Sequence, residues 1–278
     1  MKTALVGAGG LALYAGEIER HWLEVVHRDL WLKGLSTAFE GVKIAQLSDI
    51  HMEEFTEPSL LREAINRINS ENPDYVFLTG DYVTADVLPK KLIIRAAGQC
   101  GRLLSSLECK QRYAVFGNHD ARAGELDVGD AMSEADLVFL RNTHVPLERQ
   151  GGRIWLAGID DPVNGMPDQG AAIPESIRHI PNEPVILMCH APDYIDCLRA
   201  HPTGQAISLV LSGHTHGGQV RMPFAGPLFL PNWGRKYVEG LFKVDSMQLY
   251  VNRGIGTVGV PFRFDCRPEI TIFTLRSA

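Results

Sequence analysis

Five of the ten histidines in this chain lie in short polar motifs that could bind metal ions. They are His51, His119, His190, His214 and His216, and the same motifs supply Asp49, Asp81 and Asn118. Imidazole nitrogens suit zinc, iron and manganese, whereas carboxylate and amide oxygens favour harder ions. A mixed set of this size is too large for one ion and suits two ions that share a carboxylate. Two ions roughly 3.5–4 Å apart can activate a bridging water and clamp both oxygens of an in-line displacement at phosphorus.

Taken one at a time, most of these motifs have a structural explanation that needs no metal. The D-x-H sequence at 49–51 and the Gly-Asp pair at 80–81 are common at turns, and the G-N-H-D sequence at 117–120 resembles an Asx turn. A lone histidine such as His190 is more often a hydrogen-bonded core residue. The G-H-T-H sequence at 213–216 is more specific, because alternate residues of an extended chain lie on the same side. The five motifs in this order, each closing an apolar strand, favour a common site.

The elements that must position these motifs are short apolar runs rich in β-branched residues. The predicted strands are Val42–Ser48, Asp74–Thr79, Arg112–Phe116, Val185–Cys189 and Ile207–Ser212. Helices are predicted over Pro58–Ser70, with Thr56 as its cap, and over Leu88–Leu107. Alternating strands and helices indicate parallel pairing, with the ligand site beyond the carboxyl ends of the strands. After Gly217, segments such as Leu249–Asn252 and Ile270–Leu275 are predicted to be antiparallel strands of a second sheet.

The composition is that of a soluble globular α/β protein. The chain has 278 residues, a hydrophobic content of 45% and a formal net charge of −6. This charge disfavours nucleic acid as a partner. The five cysteines form no CxxC pair, so we expect scattered thiols and no disulfide framework.

The N-terminal segment Thr3–Gly16 is apolar and rich in glycine. It is shorter than the roughly 20 residues that span a bilayer. A signal peptide is one interpretation, but no A-x-A cleavage site follows. A helix on the protein or on a membrane surface is favoured. We therefore expect a cytoplasmic or peripherally membrane-associated protein, with a secreted or periplasmic one as the alternative.

The ordered motifs resemble those of the calcineurin-like metallophosphoesterase superfamily, whose pattern is D-x-H, GD, GNH[DE], H and GHxH. The resemblance extends from Val42 to the C-terminus. The stretches Gly213–Gln219, Gly234–Phe242 and Arg267–Leu275 further resemble the bacterial YkuE-like phosphodiesterase branch. The implied fold is an α/β four-layer α/β/β/α sandwich with two mixed sheets and a dinuclear metal site at the C-terminal strand ends. The implied division is an N-terminal apolar helix and lead-in at 1–40, followed by the metallophosphoesterase domain at 41–278.

The resemblance also implies a role for each site residue. Two divalent transition-metal ions (Mn, Fe, Zn or Co) are expected, and Asp81 would bridge them. The first ion would be held by Asp49, His51, Asp81 and His216, and the second by Asp81, Asn118, His190 and His214. His119 would be a general acid or phosphate binder, and Asp120 would orient its imidazole.

The expected activity is hydrolysis of phosphate esters, with phosphodiesters favoured, by in-line attack of a metal-bridging hydroxide with His119 as general acid. A phosphomonoesterase or protein phosphatase is the main alternative, although the GDxVDRG arginine is absent and Asp120 replaces the glutamate of GNHE. A mononuclear hydrolase and a non-catalytic metal-binding scaffold are further alternatives. The expected partner is a small-molecule or lipid-linked phosphoester substrate, with peripheral membrane contact through the N-terminal segment.

Overall fold

The structure, a computed structural model, describes residues 9–52, 58–178 and 180–278. Residues 9–13 are α-helical and continue into a π-helical turn, Tyr14–Ile18, and a 3₁₀ turn, Glu19–His21. The earlier part of the predicted N-terminal helix and the predicted cap Thr56 lie outside the described residues. Along the described ranges, no helix combines the length and apolar character that crossing a bilayer requires.

The first sheet has six strands in the order β1-β14-β2-β3-β4-β5. These strands are β1 (Glu24–Leu32), β2 (Lys43–Leu47), β3 (Tyr75–Leu78), β4 (Arg112–Ala114), β5 (Val138–Phe139) and β14 (Glu269–Ser277). Strands β2 to β5 are parallel, whereas β14 runs antiparallel to β2 and parallel to β1. The sheet is therefore mixed.

The second sheet also has six strands, in the order β12-β13-β9-β8-β7-β6. They are β6 (Thr143–Arg149), β7 (Gly152–Gly158), β8 (Val185–Met188), β9 (Ile207–Ser212), β12 (Gly240–Val244) and β13 (Met247–Val251). The central strands β7, β8, β9 and β13 are parallel, and antiparallel strands flank them on both sides. A separate hairpin joins β10 (Arg221–Met222) to β11 (Gly226–Pro227).

The helices cover the outer faces of the two sheets. They are α1 (Pro58–Glu71), α2 (Lys90–Leu104), α3 (Asn118–Ala123), α4 (Glu125–Ala131), α5 (Gln169–Ala172) and α6 (Ile195–Ala200). Leu61, Ile65 and Ile68 of α1 are buried in the core outside the first sheet, as their spacing predicts. Residues of α6 lie in a corresponding core outside the second sheet.

Each central strand is buried on both faces because it supplies two cores. In β3, Tyr75 and Phe77 point into the core between the sheets, whereas Val76 and Leu78 face the helices. This alternation is the period of two of an extended chain. The layers are therefore helix, sheet, sheet and helix, and the predicted α/β four-layer sandwich with two mixed sheets is confirmed.

The prediction for the C-terminal tail was partly wrong. Strand β13 does complete the second sheet, but it pairs in parallel with β9 and antiparallel only with β12. Strand β14 belongs to the first sheet, where it lies between β1 and β2. Apolar periodicity identifies a strand but does not identify its neighbours. The division of the chain at residue 40 stays a prediction, and Glu24–Leu32 within its first part is a strand of the first sheet.

Candidate metal centre

The polar motifs follow the carboxyl ends of five parallel strands. Asp49 and His51 follow β2, Asp81 follows β3, and Asn118 opens α3 after β4. His190 follows β8, and His214 and His216 follow β9. All seven side chains predicted as ligands are buried, none with more than 6% of its surface exposed. Because the two sheets face each other, these strand ends bring both halves of the chain to one site.

The backbone at the site adopts a conformation that L-residues rarely use. Five of the predicted ligands have positive φ: Asp49 (49°), His51 (50°), Asp81 (57°), His214 (74°) and His216 (50°). Such residues cost of order 1–3 kcal/mol each unless their surroundings stabilise them, and they concentrate at functional sites. Their clustering here indicates that the chain is held in strained turns to aim these side chains inward.

Two glycines allow the strand ends to approach closely. Gly80 has a φ of +97°, and a Cβ added there would lie 2.5 Å from the nitrogen of Gly117 and 2.9 Å from Nδ1 of His190. A Cβ on Gly117 would meet Oδ1 of Asp81. Glycine is therefore required at both positions for Asp81, Asn118 and His190 to converge.

The first cluster of potential ligands consists of Asp49, His51 and His216. Nε2 of His216 lies 3.0 Å from Nε2 of His51 and 3.5 Å from Oδ1 of Asp49. Atoms that bind one ion with bonds of about 2.0–2.2 Å are separated by about these distances. The cluster therefore fits a single small cation.

The second cluster consists of Asp81, His190 and His214. Oδ2 of Asp81 lies 3.2 Å from Nε2 of His190 and 3.5 Å from Nε2 of His51 in the first cluster. One carboxylate oxygen thus lies between the two clusters. Oδ1 of Asn118 is buried with no hydrogen-bond partner, so it is available as a further ligand.

Hydrogen bonds outside the clusters fix the orientation of the imidazoles. Nδ1 of His190 donates to the carbonyl of Thr79 (2.6 Å), and Nε2 of His214 donates to the carbonyl of Asn232 (2.8 Å). Nδ1 of His51 lies 3.0 Å from Oγ1 of Thr84. Such contacts set which ring nitrogen keeps its lone pair for a metal.

Burial keeps three of the histidines neutral at pH 7. It is the largest cause that lowers the pKa of His214 to about 4. Burial, reinforced by His216, lowers the pKa of His51 well below its usual value. Burial, reinforced by the charge of Arg263, does the same to His216. Neutral imidazole is the form that binds metal.

Asp81 and His190 form a charged pair. Burial raises the pKa of Asp81, but His190 outweighs it and lowers that pKa well below the usual range. Burial lowers the pKa of His190, but the charge of Asp81 outweighs it and raises that pKa well above the usual value. A cation between the two groups would replace the proton that they share.

His119 lies at the edge of the clusters and is only partly buried. The backbone N–H of Ala85 donates to its Nδ1 (3.1 Å), which leaves the imidazole proton on Nε2. A potential ligand atom of His119 also lies within 4.8 Å of such atoms of His51 and Asp81. Its predicted role as a proton donor, and not a ligand, stays a prediction.

The predicted role of Asp120 was wrong. Its carboxylate accepts hydrogen bonds from four backbone amides, those of Asp81 (2.7 Å), Tyr82 (2.9 Å), Val83 (3.3 Å) and Gly117 (2.9 Å). Asp120 therefore holds together the two loops that carry Asp81 and Asn118, while Ala85 orients the imidazole of His119. The orienting role of Asp120 was implied by the family resemblance and not by any feature of the sequence around it.

Several residues that support the site could not be identified from the motifs. Thr79, Thr84, Ala85 and Asn232 contact imidazoles through backbone atoms or a hydroxyl, and such atoms carry no distinctive sequence signal. The turn at 160–165 also packs on the site, because Nδ2 of Asn164 donates to the carbonyl of Asn118. Cys189 is buried in the core outside the second sheet, as predicted.

The donor set fits divalent metal ions. Oδ1 of Asn118 is buried without a hydrogen bond, and an unpaired buried polar atom is costly. Nitrogen and oxygen ligands of this mixture suit zinc, iron, manganese or cobalt. The seven predicted ligand residues are thus brought together, while their individual roles stay predictions.

A cavity of about 850 Å³ opens above the two clusters. Its floor contains Asp81, Asn118, His119, His214 and His216. Its walls come from residues 11–15, from the hairpin region at 218–232 and from the loop at 258–264. The clusters therefore face a space large enough for a small organic ligand.

Comparisons with known proteins agree with this geometry. The sequence profile described as calcineurin-like phosphoesterase matches residues 42–218. The uncharacterized metallophosphoesterase YkuE of Bacillus subtilis (strain 168) is 32% identical over 284 residues, covering 99% of this chain and 92% of YkuE. The phosphodiesterase YaeI of Escherichia coli (strain K12) is 32% identical over 267 residues, covering 94% of this chain and 92% of YaeI.

Solved structures share the fold at low sequence identity. A dimetal phosphatase from Danio rerio superposes with a TM-score of 0.51 at 12% identity, covering 78% of this chain and 88% of its own. The NAD nucleotidase of Haemophilus influenzae has the same TM-score, 0.51, and identity, 12%, and covers 77% of this chain and 45% of its own. These similarities support the two-sheet sandwich.

Proposed function

This chain belongs to the calcineurin-like phosphoesterase family, and we propose on that basis that it is a phosphodiesterase with two divalent transition-metal ions. The observation that carries the proposal is the pair of buried ligand clusters with one oxygen of Asp81 between them. The relative YaeI, which is named a phosphodiesterase, supports the choice of ester.

Asp81 would be shared by the two ions, and the other ligands would divide between them. Asp49, His51, Asp81 and His216 would hold one ion, and Asp81, Asn118, His190 and His214 would hold the other. When bound, the ions would activate water as the nucleophile and neutralise charge on the phosphoryl oxygens. The strained backbone and the fixed imidazoles keep these ligands preorganised, so little reorganisation is needed on binding.

His119 is the proton donor of the proposed reaction. Because Ala85 N–H occupies its Nδ1, the neutral ring presents Nε2–H, which can donate a hydrogen bond to the leaving oxygen of an ester on the cavity floor. Transfer of a proton to that oxygen requires the imidazolium form, which gives up one proton and is left as the neutral ring. Its partial exposure allows the imidazole to be reprotonated from solvent between turnovers. The loop that carries Asp81 holds the imidazole in place through Ala85.

The charge of the cavity favours a diester over a monoester. Among the described residues that line it, Arg122 is the one lysine or arginine, and it is paired with Asp86 (2.9 Å). A phosphomonoester dianion would therefore have only the metal ions to offset its second negative charge, whereas a monoanionic diester needs less compensation. The apolar walls instead suit an ester that carries an organic group on each side of the phosphorus.

Metal analysis combined with ester profiling tests the proposal. Purified protein is expected to contain two equivalents of metal and to hydrolyse bis(p-nitrophenyl) phosphate faster than p-nitrophenyl phosphate. Asp81→Ala is expected to remove both the metal and the activity, with Asp130→Ala, at an exposed position of α4, as the matched control. A preference for the monoester or for a phosphopeptide would favour a phosphatase, and metal binding without any hydrolysis would favour a scaffold.

A further inference from the structure

We propose that the cavity above the metal centre binds the hydrocarbon chain of an amphiphilic phosphoester, so that the substrate class is a lipid-like phosphodiester. This inference rests on the proposed phosphodiesterase function and specifies its substrate. The ester would lie on the polar floor, and the chain would extend along the apolar walls.

Most of the cavity lining away from the candidate ligands is apolar. The candidate ligands and His119 form one part of the lining, whereas the rest, apart from Arg122, Thr215, Gln219 and Asn232, is mainly apolar and includes Val220, Val258, Val260, Phe262 and Phe264. A ligand that is polar throughout, such as a sugar phosphate, would leave its hydroxyl groups facing these walls without hydrogen bonds. A molecule with a phosphate at one end and a hydrocarbon chain at the other fits both regions.

One wall of the cavity is built from the N-terminal helical segment, through Leu11, Ala12 and Ala15. This segment is attached to the loop at 261–266: the N–H of Arg263 donates to the carbonyl of Ala15 (3.0 Å), and the ring of Tyr14 packs edge-on against Phe264 at 6.4 Å. Gly16 lies directly against Phe262, where a Cβ would be 2.9 Å from the ring. The apolar wall is thus a packed part of the fold.

The same loop is attached to the metal centre. Sγ of Cys266 donates to the carbonyl of His216 (3.1 Å). Arg263 also donates to the carbonyl of Gly256, whose own N–H donates to the carbonyl of Asp49 (2.7 Å). Cavity and candidate ligands therefore form one continuous structure. This continuity favours a single substrate that occupies both, and not an independent protein or peptide on the apolar surface.

The mouth of the cavity exposes large apolar side chains. Phe229 is 73% exposed and Leu228 is 65% exposed, although both line the cavity. Exposed apolar surface next to a polar site is typical of a binding surface. A hydrocarbon chain would cover these residues, and its burial would contribute to binding through the hydrophobic effect.

A homologous series of substrates tests the inference. Methyl, butyl and octyl p-nitrophenyl phosphodiesters, used below their critical micelle concentrations, differ only in the chain that the cavity would bind. Complete burial of one methylene raises affinity about fourfold. If each of the seven added methylenes is half buried, each contributes about twofold, so kcat/KM should rise about 10²-fold from methyl to octyl. Octylphosphonate, which is not hydrolysed, is expected to bind correspondingly more tightly than methylphosphonate in a calorimetric titration.

Two leucine variants locate the effect. Leu228→Asp is expected to reduce the octyl-to-methyl ratio of kcat/KM at least tenfold. Leu126→Asp, at a leucine of α4 that is 74% exposed and does not line the cavity, is the matched control and should leave the ratio unchanged. Both positions are exposed, so neither substitution is expected to prevent folding.

The outcomes separate this inference from the proposed function. Equal kcat/KM for the methyl and octyl diesters would overturn the inference and leave the phosphodiesterase function standing. Failure to hydrolyse any member would overturn the proposed function, and the two phosphonates would then decide the inference: equal binding rejects it and tighter octyl binding supports it. A hexadecyl analogue in phosphatidylcholine vesicles distinguishes the source of the chain, since hydrolysis there indicates a membrane lipid and hydrolysis of monomers alone indicates a soluble amphiphile.

Discussion

Replacing Asp120 with asparagine should destabilise the loops of the metal centre without affecting proton donation directly. The carboxylate of Asp120 is fully buried and accepts its four hydrogen bonds from the backbone amides of Asp81, Tyr82, Val83 and Gly117. Asparagine has nearly the same shape, but it replaces one acceptor oxygen with an NH₂ group that can only donate.

The size of the effect follows from which amides lose their acceptor. If the NH₂ group takes the place of Oδ2, the N–H groups of Asp81 and Gly117 are left without a partner. In the other orientation, the N–H groups of Tyr82 and Val83 are left. A buried donor without a partner costs about 1–3 kcal/mol, so two such donors should lower the free energy of unfolding by about 2–6 kcal/mol.

Urea unfolding in the presence of a chelator measures this loss without the contribution of bound metal. With a denaturant slope of about 3 kcal/mol/M, the midpoint of Asp120→Asn should fall by about 0.7–2 M. The affinity for metal should fall about 10–100-fold, because the carboxylate supports the backbone of Asp81. Asp130→Asn makes the same chemical change at an exposed position and should behave like the unchanged protein.

Two results would refute this reasoning. One is a midpoint and a metal affinity for Asp120→Asn that equal those of Asp130→Asn, which would mean that the four hydrogen bonds contribute nothing measurable. The other is normal metal binding with a loss of activity confined to alkyl diesters. That selectivity would show that Asp120 acts through the imidazole of His119.

Three further predictions concern the same region. His119→Ala should slow an alkyl phosphodiester about 10²–10⁴-fold more than a nitrophenyl one, whose leaving group needs no proton, while both metals are retained; equal slowing would instead indicate phosphate binding. Elemental analysis of Asn118→Ala should show loss mainly of one ion, and full metal content would contradict the ligand assignment. Arg263 is fully buried and donates to the carbonyls of Arg253, Gly254, Gly256 and Cys266. Arg263→Met should therefore lower the free energy of unfolding by about 2–5 kcal/mol in urea, and a change below about 1 kcal/mol would contradict this.

The sequence by itself determined the strands that carry the site and the residues at their ends. The predicted run Ile207–Ser212 coincides with β9, and the other four predicted strands each differ from the observed ones by no more than two residues at either end. Helix α2 begins two residues later and ends three residues earlier than predicted. Apolar runs and polar strand ends are local signals, because burial on both faces requires consecutive apolar residues. This is why the candidate ligands could be named from spacing and resemblance.

Only the tertiary structure decided what these residues contact. The bonds from Asp120 to the loop of Asp81 span 37–39 positions in the chain, and the cavity brings Leu11 beside Leu228 and Val260. The place of β14 in the first sheet also depends on pairing between distant segments. Local periodicity records which residues are buried, but it does not record their neighbours. The choice of neighbours depends on how two sheets and their connecting loops pack together, and this packing produced both the position of Asp81 between the clusters and the apolar walls above them.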